Sequence, residues 1–216
     1  MTKLWLLLPI ALLTLLEYID CHFTNSNITL ATLDSVEWTQ TAYIQSWQSI
    51  SISLDGSVMA AVAYSIYTGL APMFVSIDSG NTWTQVGATN PQIWSSICMS
   101  SSGTVIAAAC EGYIFVSTDT GQTWSQTASW QEWESISCSS DGSVIAAAVD
   151  PGYIFVSINS GDTWIQTASN QEWQSISISS DGSVMAAVVD SGSIFVSTDT
   201  ANIMVNGLWL SKLSLF

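Results

Sequence analysis

The chain has no arginine, and its two lysines, Lys3 and Lys212, stand at its extreme ends. Its body therefore carries nearly the full net charge of −15. Nucleic-acid binding draws affinity from Lys and Arg neutralising phosphates, and anionic membrane surfaces attract polybasic segments, so neither is expected as a partner. Charge of either sign is scarce: 9% of residues are charged, against about 25% in an ordinary domain, which leaves Ser, Thr, Asn and Gln to cover the surface. The single histidine, His22, precedes the patterned part of the chain, so a nucleophile–histidine triad has no base there. Cys21, Cys98, Cys110 and Cys138 lack the Cys-x-x-Cys spacing of a zinc site or redox pair. Acids spaced near forty residues apart do not make a calcium loop, and no cofactor or metal is expected. The apolar run from Leu4 to Leu16 is short for a membrane span, which needs about 20 residues. Residues 1–20 read as a signal peptide or N-terminal anchor and imply export, which would make the sequon Asn27-Ile28-Thr29 usable.

What is present is an apolar content of 48% and a repeat. SLDG, SSSG, SSDG and SSDG, set in register, align four units that begin at Trp47, Trp94, Trp133 and Trp173, which are 47, 39 and 40 residues apart. Such a period, with four short strands to a unit, marks a propeller blade that cannot bury its faces alone. Eight tryptophans fall on two repeat positions: Trp47, Trp94, Trp133 and Trp173 on one, Trp38, Trp83, Trp124 and Trp164 on the other. In the third unit WESISCSS is strand one, with Trp133, Ile136 and Cys138 toward one core. Asp141-Gly142 is a hairpin turn, VIAAAV strand two, YIFVSI strand three and TWIQTAS strand four. Cys138 aligns with Met99 and Ile178, and Cys110 with Val149 and Val189, so both read as buried hydrophobes; Cys98 aligns with Ser137 on the other face and reads as the more reactive thiol.

Between strands three and four an acid, a glycine and a tryptophan recur: SIDSGNTW at 76–83, STDTGQTW at 117–124, SINSGDTW at 157–164 and a broken STDTANIM at 197–204. Asp78, Asp119 and Asp199 can accept hydrogen bonds from the turn, Gly80, Gly121 and Gly161 permit a left-handed backbone, and Trp83, Trp124 and Trp164 can seal one blade against the next. Asn159 takes the place of the acid, which suits a hydrogen-bond acceptor and would serve a general acid or base poorly.

The pattern S-x-D-x-G-x-T-W resembles the Asp-box, or bacterial neuraminidase repeat, over residues 34–201. The resemblance is to sialidases, sortilin-type receptors, xyloglucan-cleaving hydrolases and photosystem II assembly factors. It implies an all-β, β-propeller-like array of antiparallel blades, here about four, as a closed small ring or an open arc, with the box away from the ligand face. Residues 202–216 depart from the pattern as a C-terminal tail. The fourth unit lacks strand four, and Val36–Ala42, which matches WSQTA and WIQTA, is expected to supply it. An open arc would leave sheet edges that take another chain, and so favours an oligomer.

In a four-strand meander alternate turns lie at opposite ends. The second turns and the links between units share the end away from the box and carry Glu111, Trp130, Glu132, Asp150, Glu172 and Asp190. Loops on a rigid scaffold commonly carry binding residues, so this acidic and aromatic end is the candidate ligand face, for a carbohydrate or a protein. The sialidase arginine triad has no counterpart in a chain without arginine, and a non-enzyme is expected. Two other readings come with the resemblance: an assembly factor, which would work in the thylakoid lumen, and an inactive glycoside hydrolase fragment.

Overall fold

The computed structural model describes residues 37–42, 45–64, 72–86 and 92–198, with the backbone of two short strands near the C-terminus. Residues 1–20, Cys21, most of the excursion between Tyr64 and Pro72, Asp199 and most of the tail 202–216 lie outside the described residues. The chain divides into Met1–Thr39, of which residues 37–39 are exposed and not in a strand, and Gln40–Phe216, which holds every strand named below.

Among the described residues the protein is all-β, built of antiparallel blades in chain order. β1 (Trp47–Ile52), β2 (Met59–Ala63), β3 (Met73–Ser76) and β4 (Thr84–Val86) pair in sequence as blade one. A six-stranded sheet holds blades two and three. In it β5 (Trp94–Met99) pairs with β6 (Ile106–Ser117), which runs on through Glu111-Gly112 and pairs with β7 (Ser125–Cys138). The far half of β7 pairs with β8 (Ile145–Val149), followed by β9 (Gly152–Ser157) and β10 (Ile165–Gln171). β7 is thus the fourth strand of blade two and the first strand of blade three. Blade four has β11 (Trp173–Ile178), β12 (Met185–Val189) and β13 (Ile194–Ser197), and among the described residues β13 has a strand neighbour on one side only. β14 (Met204–Val205) and β15 (Leu208–Trp209) pair with each other.

Strict alternation would set Trp133 and Ile136, three residues apart, on opposite faces. A register shift between Trp133 and Ser135 resolves this, and the same bulge recurs at Trp47/Ser49, Trp94/Ser96 and Trp173/Ser175. One extra residue turns the tryptophan onto the isoleucine face. Each tryptophan then meets the phenylalanine of its own third strand edge-on, as in Trp133–Phe155 at 5.2 Å between ring centroids.

The core lies between blades rather than within one. Ala107, Ala109, Ile114 and Val116 of blade two pack against Trp133, Ile136, Ile145 and Phe155 of blade three. Both faces of a middle blade are therefore buried, which is why its second strands are alanine-rich. This corrects the reading of Cys98. Its face, opposite that of Ile97, is no more exposed: Cys98 is buried in the blade two–three core beside Cys138, and burial pushes its thiol pKa well above the usual value. Burial likewise raises Cys110 to about 11.

The expectation for Val36–Ala42 is also corrected. Residues 37–42 form no strand, Val36 is outside the described residues, and Thr41 lies at blade one, where its Oγ1 accepts a 3.3 Å hydrogen bond from Trp83 Nε1. In blade three Trp164 Nε1 donates to Thr127 Oγ1 of blade two's fourth strand at 3.2 Å. Thr41 thus stands where the fourth strand of a preceding blade would stand.

Candidate functional site

Backbone hydrogen bonds define two rims. At one, the N–H groups of Ser79, Thr120 and Ser160 donate to the carbonyls of Ser57, Thr104 and Ser143, each at 3.0 Å. These bonds tie the acid–glycine–tryptophan turn to the first turn of the same blade, Asp-Gly in blades one and three and Ser-Gly in blade two. At the other, the N–H groups of Glu111, Asp150 and Asp190 donate to the carbonyls of Ile93, Glu132 and Glu172 at 2.9, 3.1 and 2.8 Å. Each second turn is thereby joined to the residue preceding its own blade's tryptophan.

On the first rim the acids are occupied by their own turns. Asp119 accepts from Ser117 Oγ (2.7 Å), Thr123 N–H (2.8 Å) and Thr123 Oγ1 (2.6 Å). Asp78 does the same with Ser76 and Thr82. The Thr123 hydroxyl, the Thr123 amide and the Ser117 hydroxyl hold Asp119 at a pKa of about 2. Asn159 keeps the geometry with an amide: Oδ1 accepts from Ser157 Oγ and Thr163 N–H, and Nδ2 donates to Thr163 Oγ1, all at 2.9 Å. A carboxylate ionised to such low pH, with its oxygens committed to neighbours, is ill suited to carry protons near neutrality. The glycines serve the packing: Gly121 and Gly161 have φ of 81° and 85°, and a Cβ on either would come within 2.9 and 2.7 Å of Val75 and Val116 of the preceding blade. Trp124 and Trp164 close the turns, each donating Nε1–H to the carbonyl of its glycine at 3.0 Å. Asp199 is outside the described residues.

The second rim gathers the candidate ligand residues. Glu111 and Glu132 are direct cross-strand partners on β6 and β7, and both are exposed. Asp150 is bonded to Glu132 through the backbone, and Asp190 to Glu172 in the next blade. Gln174 Nε2 donates to Asp150 Oδ2 at 3.5 Å, linking blade four to blade three. Trp130, 57% exposed, lies over Gly112, where a Cβ would come within 3.0 Å of its Nε1. One side of the indole is thus backed by the chain between the two glutamates. Glu134, absent from the sequence candidates, joins the group: partial desolvation and then the Asp150 carboxylate raise its pKa. No sequence signal marked it, because its repeat equivalents are Gln48, Ser95 and Gln174. The described residues contain no Lys, Arg or His to neutralise these acids, and no three metal-binding side chains converge among them.

No family model matches the chain, and no curated protein matches it. Solved structures do. An enzyme of the GH74 type from Niastella koreensis aligns with a TM-score of 0.55 at 16% identity, over 67% of this chain and 26% of its own. YCF48 from Cyanidioschyzon merolae aligns at 0.56 and 18% identity, over 75% of this chain and 56% of its own. The computationally designed Ika4 protein aligns at 0.57 and 8% identity, over 74% of this chain and 95% of its own. The fold is that of β-propellers. At these identities the likeness concerns fold alone, and the chain spans about a quarter of the first neighbour and just over half of the second.

Two cavities of this propeller array have none of the acidic rim residues in their linings. One of about 310 Å³ opens beside β13, lined by Thr167, Trp173, Ile176, Phe195 and Val196 among others. One of about 650 Å³ opens on blade one, between Gln40–Ala42 and Trp47, Ile50 and Trp83. Both are largely apolar; the first lies between blades three and four, the second on blade one.

Proposed function

We propose that this Asp-box propeller is a non-catalytic binding or scaffolding protein that works after export and presents its acidic rim to the basic surface of a protein partner. The observation that carries the reading is the gathering of Glu111, Glu132, Glu134, Asp150, Glu172 and Asp190 on the second rim, with no cation among the described residues to neutralise them. Such a surface attracts positive charge and speeds its encounter. The test is binding of a Lys/Arg-rich peptide at about 50 and 300 mM salt. Affinity should fall with salt, and Asp150→Asn should weaken binding several-fold while Asp162→Asn, the same charge change on the opposite rim, leaves it unchanged. Equal losses in the two variants would reduce the effect to net charge and end the rim assignment.

The Trp130 indole favours a second reading, a carbohydrate stacked on its exposed face and hydrogen-bonded by Glu111 or Glu132. Glycan-array binding lost in Trp130→Ala would select it. Turnover of a xyloglucan or sialoside panel would overturn the non-catalytic part of both readings.

A further inference from the structure

The blades meet through a repeated contact with a direction. At each internal junction the earlier blade offers valines and the later blade receives them on glycines. Val58 sits on Gly103, Val105 on Gly142 and Val144 on Gly182, with a Cβ on the glycine 2.7, 2.6 and 2.8 Å from the valine. Val75 and Val116 sit on Gly121 and Gly161 in the same way. Leu54 N–H to Ser101 O at 2.9 Å, Ser101 N–H to Ser140 O at 2.7 Å and Ser140 N–H to Ser180 O at 2.8 Å add a backbone bond at each of the three junctions. Around these points the later blade's first strand is buried, as Trp94, Ile97, Trp133, Ile136, Trp173 and Ile176 are.

At the ends of the array this contact is left in two halves. Blade one keeps the receiving half: among the described residues the nearest neighbour of Gly56 is Ile52 of its own blade and those of Gly80 are Met59 and Thr41, and the face above them exposes Ile50 by 65% and Ile52 by 54%. Blade four keeps the donating half, with Val184 exposed by 37%, Ile194 by 73% and Val196 by 64%. Neither half carries a charged side chain among these residues. Gln40–Ala42 stands in front of blade one in the place of a preceding blade's fourth strand, and among the described residues β13 has no fourth strand beside it.

We propose that a second copy of this chain completes the contact. Blade four of one copy docks on blade one of the other, Val184 and Val196 enter above Gly56 and Gly80, and Gln40–Ala42 pairs with the open edge of β13. The register Thr167↔Ile154 in blade three sets Thr41 opposite Ile194 of the second copy. Among the described residues of one chain both halves are exposed, so each copy has one of each to offer. A two-fold arrangement makes two identical junctions and closes a single ring, whereas a single unclosed junction would propagate as a filament. This inference does not rest on the rim's ligand.

The test is the solution mass of the full chain by light scattering after gel filtration and by sedimentation velocity, at micromolar concentration. A mass twice the 23.2 kDa of the chain is expected. Ile50→Asp and Val196→Asp should each yield monomer; both side chains are exposed in the single chain, so a retained β-sheet circular dichroism spectrum separates lost association from lost folding. A monomeric parent overturns the proposal, because the end faces are then covered by another part of the chain or stay bare. Growth into polymers overturns the closed ring. A dimer that survives either substitution overturns the head-to-tail contact.

Discussion

Asp119 and Asn159 occupy equivalent turns, and the comparison separates shape from charge. Both accept from a serine hydroxyl and from the amide four residues on, so the turn needs an acceptor in that place rather than an acid. Asp119→Ala leaves that amide and two hydroxyls to find water, and should lower the melting temperature by a few degrees at neutral pH. Asp119→Asn should stay close to the parent. Acid distinguishes the two further. Asp119 is held at about 2, below the ordinary carboxylate value of 3.8. Its contribution is therefore complete above that ordinary value and is lost as pH falls through about 2. Thermal melts at about pH 7 and pH 2.5 should show the parent losing more than Asp119→Asn; the same gap at both values would mean that ionisation adds nothing to the turn. This role was legible in the sequence, because SINSGDTW keeps every other part of the motif while exchanging the acid for an amide.

Among whole strands, the repeated tryptophan is the part that packing tests best. Trp133 and Trp173 hold the same place, both fully buried, but Trp173 Nε1 donates to the Ser169 carbonyl at 3.3 Å while Trp133 Nε1 has no partner among the described residues. Replacement by phenylalanine removes similar apolar area from each. Trp173→Phe also gives up this hydrogen bond, so it should cost about 1 kcal/mol more than Trp133→Phe in denaturant titrations; equal costs would show that the Ser169 bond contributes nothing. The starts of the first strands in blades one, two and four were legible because each opens on tryptophan. The continuous β7 was not. Ser129-Trp130-Gln131-Glu132 has no two-residue alternation, and Ala128 sits at φ 61°, so nothing in the residues separates a link from a strand. Cys98 was misread for a related reason. Alternation tells one face from the other, but in a stacked blade both faces are core. Residues 36–42 show the other limit: their match to WSQTA implied a strand that residues 37–42 do not form, and Thr41 against Trp83 shows which blade Thr41 lies beside.

For the molecule as a whole, Glu134 on the rim and a set of turn carboxylates pull stability in opposite directions with pH. On the rim, Glu134 has its pKa raised by desolvation and by Asp150, so the folded state binds its proton more tightly than the unfolded chain. Stability from this group is present at low pH and is lost as pH rises through the raised value. At the turns, Asp55, Asp119 and Asp181 are each held at about 2, and Asp78 and Asp141 are lowered too, by serine and threonine hydroxyls and turn amides. Their contribution disappears in acid. With a net charge of −15 and no basic side chain among the described residues, general repulsion adds to the rim effect at neutral pH. The melting temperature should therefore rise as pH is lowered from 7 to about 4.5 and fall below about pH 3. Salt near 1 M should flatten the rise by screening exposed charges, with little effect on the acid limb, whose short hydrogen bonds are local. Glu134→Gln should remove part of the rise and leave the acid limb in place. A profile that declined steadily from pH 7 downward would mean that the rim acids do not repel one another enough to matter. The acidic surface would then have lost the physical basis for its reading as a binding face.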